Sequence, residues 1–106
     1  VAKKTINVGK KNGKPNPPGE TRARGGKDTV VLKNRFGAKV RWVVPAGPFK
    51  GGAVDEVVEK GKKSEKKTKD HNATAAYVYK VLEVQKRGKV KKKRRLVNDP
   101  VIIIDP

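Results

Sequence analysis

Apolar positions along the chain fall in short runs of period two, separated by turn residues, which is the signature of half-buried strands. Lys39–Val44 shows it most cleanly, with Val40, Trp42 and Val44 on one face and Lys39 and Arg41 on the other. Asp28–Asn34 (DTVVLKN) predicts a strand before it, with a turn at Arg35-Phe36-Gly37, and Pro45-Ala46-Gly47-Pro48 stops the second strand. Ala53–Val58 can be read as a short helix ended by Gly61. Its three valines and the flanking Gly51-Gly52 favour a strand or an irregular connection. Lys62–Lys69 is polar on both faces and fits an edge strand or a solvated loop.

Ala75–Val84 is the strongest strand candidate. Tyr77, Tyr79 and Val81 point one way, and Ala76, Val78, Leu82 and Val84 the other, so a central position is expected. Pro100–Ile104 closes the series with a β-branched run that predicts a buried strand. Six to seven short strands with turn punctuation and no internal repeat predict an all-β fold. The expected architecture is a small antiparallel β-sandwich or barrel of Greek-key type.

The first 27 residues depart from this pattern. They hold eight Lys/Arg, the single acid Glu20, five glycines and three prolines. Only Ile6 and Val8 alternate, so the segment predicts one short strand within an extended basic arm. The expected organisation is therefore an arm over 1–27 and a body over 28–106, with a basic loop at 85–99. No apolar signal-type segment opens the chain, although a leader removed before Val1 would leave the same start.

The succession DTVVLKN, KVRWVVP, a Gly/Pro-rich loop, DHNATAAYVYKV and DPVIIID resembles the strand order of cupredoxin-like and immunoglobulin-like β-sandwich domains. Asp70, Ala73 or Ala75, and Tyr77 look like the corner that enters the penultimate strand of those folds. The resemblance implies that the Tyr77 hydroxyl bonds back to the chain near Asp70 and that Trp42 fills the inter-sheet core. Copper-binding cupredoxins use two His, a Cys and usually a Met, mostly in the loop before the last strand. Here that loop is Lys/Arg-rich, with no Cys, Met or His, so the resemblance comes without the copper ligands.

Charge changes the picture most. The chain has 28 Lys+Arg against 10 Asp+Glu, a net charge of +18. The absence of cysteine excludes disulfides, thiol catalysis and Cys-based metal sites, and a single histidine excludes a multi-His site. The longest aliphatic run, Val101 to Ile104, is far too short to span a membrane as a helix.

Eight basic residues occupy the ten positions Lys86–Arg95: Lys86, Arg87, Lys89, Lys91, Lys92, Lys93, Arg94 and Arg95. Their mutual repulsion disfavours an ordered loop unless anions neutralise it, which points to a polyanion ligand over simple solubilisation. The arm supplies Lys3, Lys4, Lys10, Lys11, Lys14, Arg22, Arg24 and Lys27 as a second basic surface. Lys62, Lys63, Lys66, Lys67 and Lys69 make a third, offset only by Glu65 and Asp70. Lysines outnumber arginines 21 to 7, which favours point-charge phosphate contacts over bidentate base reading.

Other chemistry is thin. Trp42, Tyr77 and Tyr79 read as core. Phe36 and Phe49, in turns beside Arg35 and Lys50, are the candidates for stacking on bases. The glycine clusters at 24–27 and 47–52 fit neither a Walker A loop nor a dinucleotide fingerprint and read as turns. Asp55, Glu56 and Glu59 are expected to pair with nearby basic side chains. His71 is expected to make a surface hydrogen bond, and Asn72-Ala73-Thr74 is a bare sequon. No nucleophile, base and oxyanion donor come together, and neither cofactor nor small-molecule substrate is called for.

These residues predict a non-enzymatic, cytoplasmic protein that binds nucleic acid through phosphates without sequence preference. Structured RNA stands ahead of DNA, as in a ribosomal or ribosome-associated protein. Two rivals remain. One is a β-sandwich structural or interaction module whose basic face meets acidic proteins, glycans or anionic membranes; the other is an engineered supercharged scaffold.

Overall fold

Val40, Trp42 and Val44 turn one side of a strand into the core, each no more than 1% exposed, while Arg41 and Val43 face outward. The computed structural model describes residues 2–84 and 100–106, and the described chain is all-β and sandwich-like, with no helix. It holds ten strands where the sequence pattern predicts six or seven. In chain order these are β1 (Lys3–Lys11), β2 (Lys14–Asn16), β3 (Glu20–Arg24), β4 (Thr29–Asn34), β5 (Val40–Val44), β6 (Val54–Val58), β7 (Lys63–Lys67), β8 (Ala75–Val78), β9 (Lys80–Glu83) and β10 (Val101–Asp105). They form three sheets, ordered β2-β1-β4-β7, β3-β10-β8 and β6-β5-β9.

Most pairings are antiparallel, as expected, and two are parallel, β1 with β4 and β3 with β10. Both involve the first 27 residues, which carry three strands and are part of the body, not an arm. Ile6 and Val8 are fully buried beside Val30 and Leu32, and Thr21 and Ala23 turn inward from β3. Full burial of an aliphatic side chain contributes about 1.5–3 kcal/mol, so Ile6 and Val8 anchor the opening strand. The remaining inward positions, Thr21 and Ala23, are polar or small and give little hydrophobic signal.

The Ala75–Val84 run also differs from expectation. It breaks at Tyr79 into β8, which pairs with β10, and β9, which pairs with β5. Each lies at the edge of its sheet among the described residues, and Val78 is 51% exposed. Tyr79 is the pivot: its amide donates to the Pro100 carbonyl at 3.0 Å, and its ring is buried. The buried face therefore passes from one sheet to the next within a single apolar stretch.

Phe36 and Phe49 lie in the core, 5% and 2% exposed, which removes them as stacking platforms. The Asn34 side-chain oxygen accepts from the Phe36 amide at 3.0 Å and folds that turn inward. Phe49 forms an isolated bridge with Thr68 and meets Trp42 edge-on, with ring centroids 5.7 Å apart. Lys10 places its ammonium 5.6 Å from the centre of the Phe36 ring.

The turn from β3 to β4 is held by two buried side chains. Asp28 accepts from the Arg24 amide at 2.8 Å, and the Thr68 hydroxyl donates to the Arg24 or Asp28 carbonyl while accepting from the Gly26 amide. Gly26 has φ +74°, and a Cβ there would run into the Asp70 carboxylate, so the position is closed to other residues without rearrangement. The Arg24 amide holds the Asp28 carboxyl below the usual carboxylate range, against the opposing pull of burial.

Candidate nucleic-acid interface

Register across the four-stranded sheet decides which lysines share a face. Lys3 and Lys67 both pair with Thr29; Thr5 and Glu65 both pair with Val31; Asn7 and Lys63 both pair with Lys33. These rows alternate with those of Ile6, Val30 and Leu32, whose side chains enter the core, so they form the opposite side of the sheet. Lys11 and Lys14, paired across the β1–β2 hairpin, extend the same side. Six lysines thus stand on one sheet face: Lys3, Lys11, Lys14, Lys33, Lys63 and Lys67.

Glu65 is the one acid in those rows. It pairs with Lys3 at 3.2 Å and Lys63 at 3.4 Å, and the Lys3 contact, reinforced by Lys63, holds its carboxyl below the ordinary range. Lys33 and Lys63 sit directly opposite one another across two strands, a like-charge pair that costs stability unless an anion lies between them. Strands lie about 4.8 Å apart, so the cations of the first and third rows share one sheet face, separated by the row of Thr5, Val31 and Glu65.

The basic residues predicted from the sequence are distributed unevenly. Lys3, Lys11 and Lys14 belong to this face. Lys4, Arg22 and Arg24 line a different cleft of about 360 Å³, where Asp28 and Asp105 offset them and Arg22 is bound to Asp105 at 3.2 Å. Lys10 is turned to Phe36, and Lys27 is exposed in the β3–β4 turn. Lys86, Arg87, Lys89, Lys91, Lys92, Lys93, Arg94 and Arg95 lie outside the described residues. Lys33 escaped the sequence reading, because a lone lysine in an apolar run carries no signal until its cross-strand neighbours are known.

The acidic segment is accounted for by pairing. Asp55 takes both Nε and Nη2 of Arg41 in a bidentate bond, which holds its carboxyl low; Glu56 meets Lys66 and the Ser64 hydroxyl; Glu59 meets Lys39 at 3.7 Å. His71 Nε2 and the Tyr77 hydroxyl share a hydrogen bond of 2.7 Å. No helix among the described residues is long and apolar enough to cross a membrane. No known protein family, curated protein or solved structure matches the chain.

Proposed function

We propose that this protein is a non-enzymatic nucleic-acid-binding module that grips phosphates without reading sequence, with structured RNA as its preferred partner. The observation carrying this reading is the six-lysine sheet face with Glu65 as its sole acid. A broad face of point charges, coupled to a net charge of +18, favours a ligand offering many phosphates over one offering a few. A ribosome-associated setting in the cytoplasm fits such a small, basic, all-β chain. The Lys86–Arg95 cluster in the sequence adds further phosphate partners to the same reading.

The test is a salt titration of binding to structured RNA, duplex DNA and heparin, with the absorbance ratio of natively purified protein as a companion. RNA persisting to higher salt than the other two supports the reading. Release of all three at the same modest salt overturns the RNA preference and favours an interaction module with generic charge. No retention of RNA or DNA at physiological salt overturns nucleic-acid binding itself.

A further inference from the structure

At one end of the lysine face the sheet gives way to a cleft of about 600 Å³. It is lined by Lys33, Asn34, Arg35 and Gly37 from the end of β4 and the turn after it, and by residues 60–63 from the turn into β7. Five of these eight are cationic and none is acidic. Two smaller clefts on the described surface both contain carboxylates, Asp28 and Asp105 in one, Asp55, Glu56 and Glu65 in the other. Lys33, Arg35, Lys60 and Lys62 make no ion pair among the described residues. Four uncompensated cations around one concavity repel each other, and an anion between them relieves that cost.

The cleft is also braced. Asn34, 1% exposed, shares its two Nδ2 protons among the carbonyls of Ala38, Val58 and Glu59 at 2.7–3.2 Å, tying both turns to one side chain. Backbone bonds between Asn34 and the opposite turn, from the Gly61 amide and to the Lys62 carbonyl, complete the floor. Gly61 adopts φ +73° with open space where a Cβ would stand, so a ligand can approach the backbone closely there. The cation-bearing turns are therefore held in place before any ligand arrives, which lowers the ordering cost of binding.

We propose that this cleft binds a chain of two or more linked phosphates. A single phosphate monoester carries about −1.5 to −2 at pH 7 and neutralises only part of four free cations. Linked phosphates match that charge within a volume typical of small-ligand sites, and Arg35 can bind them with a planar fork. The anion is held, with no bond made or broken. It has two sources of identical chemistry, free polyphosphate or the 5′-triphosphate end of an RNA. The inference stands on the cleft alone and goes beyond general phosphate gripping by the sheet face.

The experiment is calorimetric titration of the full chain with inorganic tripolyphosphate at low salt. Wild type, Lys60→Ala/Lys62→Ala and Lys50→Ala/Lys69→Ala are compared, with circular dichroism confirming that each is folded. All four substituted lysines are exposed, so folding is not at stake. Saturable one-to-one binding is expected, weakened at least about tenfold by the cleft variant and less than about twofold by the Lys50→Ala/Lys69→Ala control. Absent saturation, or equal loss in both variants, overturns the proposal, and does so whether or not the protein binds RNA. An RNA with a 5′-triphosphate is then compared with the same RNA bearing a 5′-hydroxyl. A preference abolished by Lys60→Ala/Lys62→Ala identifies the RNA end as the source, while tripolyphosphate binding without that preference identifies the free anion.

Discussion

The Tyr77 hydroxyl lies 2.7 Å from Nε2 of His71, whose Nδ1 lies 2.7 Å from the Lys69 carbonyl. A carbonyl only accepts, so Nδ1 carries the ring proton, Nε2 accepts, and the tyrosine donates. The rings stand edge to face at 82°, with their centroids 5.7 Å apart. The relay ties β8 to the loop that follows β7. Tyr77→Phe is expected to cost about 1 kcal/mol in urea denaturation, and His71→Ala a similar amount. The double variant should cost clearly less than the sum, because both changes delete one bond.

Tyr79 behaves oppositely. Its hydroxyl is buried with no hydrogen bond of normal geometry among the described residues, and burial pushes its phenol well above the usual tyrosine range, an effect that the nearby Thr21 only partly offsets. Tyr79→Phe removes an unsatisfied polar atom and keeps the ring. It should leave stability unchanged or raise it by up to about 1 kcal/mol. A loss as large as that of Tyr77→Phe would show that the hydroxyl is bonded in solution.

Asp28 gives the fold a pH dependence of known sign. Its carboxyl titrates lower when folded than when unfolded, chiefly because the Arg24 amide binds the charged form. The resulting stabilisation is complete above the unfolded value near 3.9 and is lost as pH falls from there toward the folded value. Asp28→Asn should cost about 1–3 kcal/mol at neutral pH, and the gap to wild type should narrow in acid. Urea melts at about pH 7 and pH 3 measure both.

On the lysine face, Glu65→Gln should strengthen nucleic-acid binding, since it frees Lys3 and Lys63 from their ion pairs. Each freed lysine that finds a phosphate steepens the slope of log affinity against log salt by about 0.9 for a duplex or 0.7 for a single strand. Lys33→Ala/Lys67→Ala should shallow it by comparable steps. Filter binding at several salt concentrations reads both, and an unchanged slope in both variants would remove this face from the interface.

Asn34→Ala is expected to cost about 3–4 kcal/mol, because the two protons shared among three carbonyls and the acceptor for the Phe36 amide are lost together. Thermal unfolding checks this. Lys60→Ala in the same region should be near neutral for stability, since its side chain is exposed and makes no ion pair among the described residues.

How far the sequence could be read depended on whether inward positions were apolar and close in sequence. β4, β5 and β10 are visible because Val, Ile, Leu and Trp alternate or cluster there, while β6 reads ambiguously because Asp55 and Glu56 interrupt its valines. β3 is hidden because its inward residues, Thr21 and Ala23, look like linker, and its partner β10 lies some eighty residues away. The turns mislead for a related reason: Phe36 and Phe49 sit in irregular backbone, yet the Asn34 and Thr68 contacts fold them into the core. The abundance of positive charge is plain in the composition. Its arrangement is not, because Lys3, Lys33 and Lys63 become neighbours only through strand register.

The pairing of β3 with β10 also dictates the order in which this chain can fold. A polypeptide emerging from synthesis exposes β3 long before residues 101–105 exist to cover it, and Ile102 and Ile104 complete the core only at that last step. Contacts of such wide sequence separation make folding slow and leave an apolar edge open meanwhile. The net charge of +18 acts on that interval apart from any ligand, because repulsion between like-charged chains opposes their association while the sheet lacks β10.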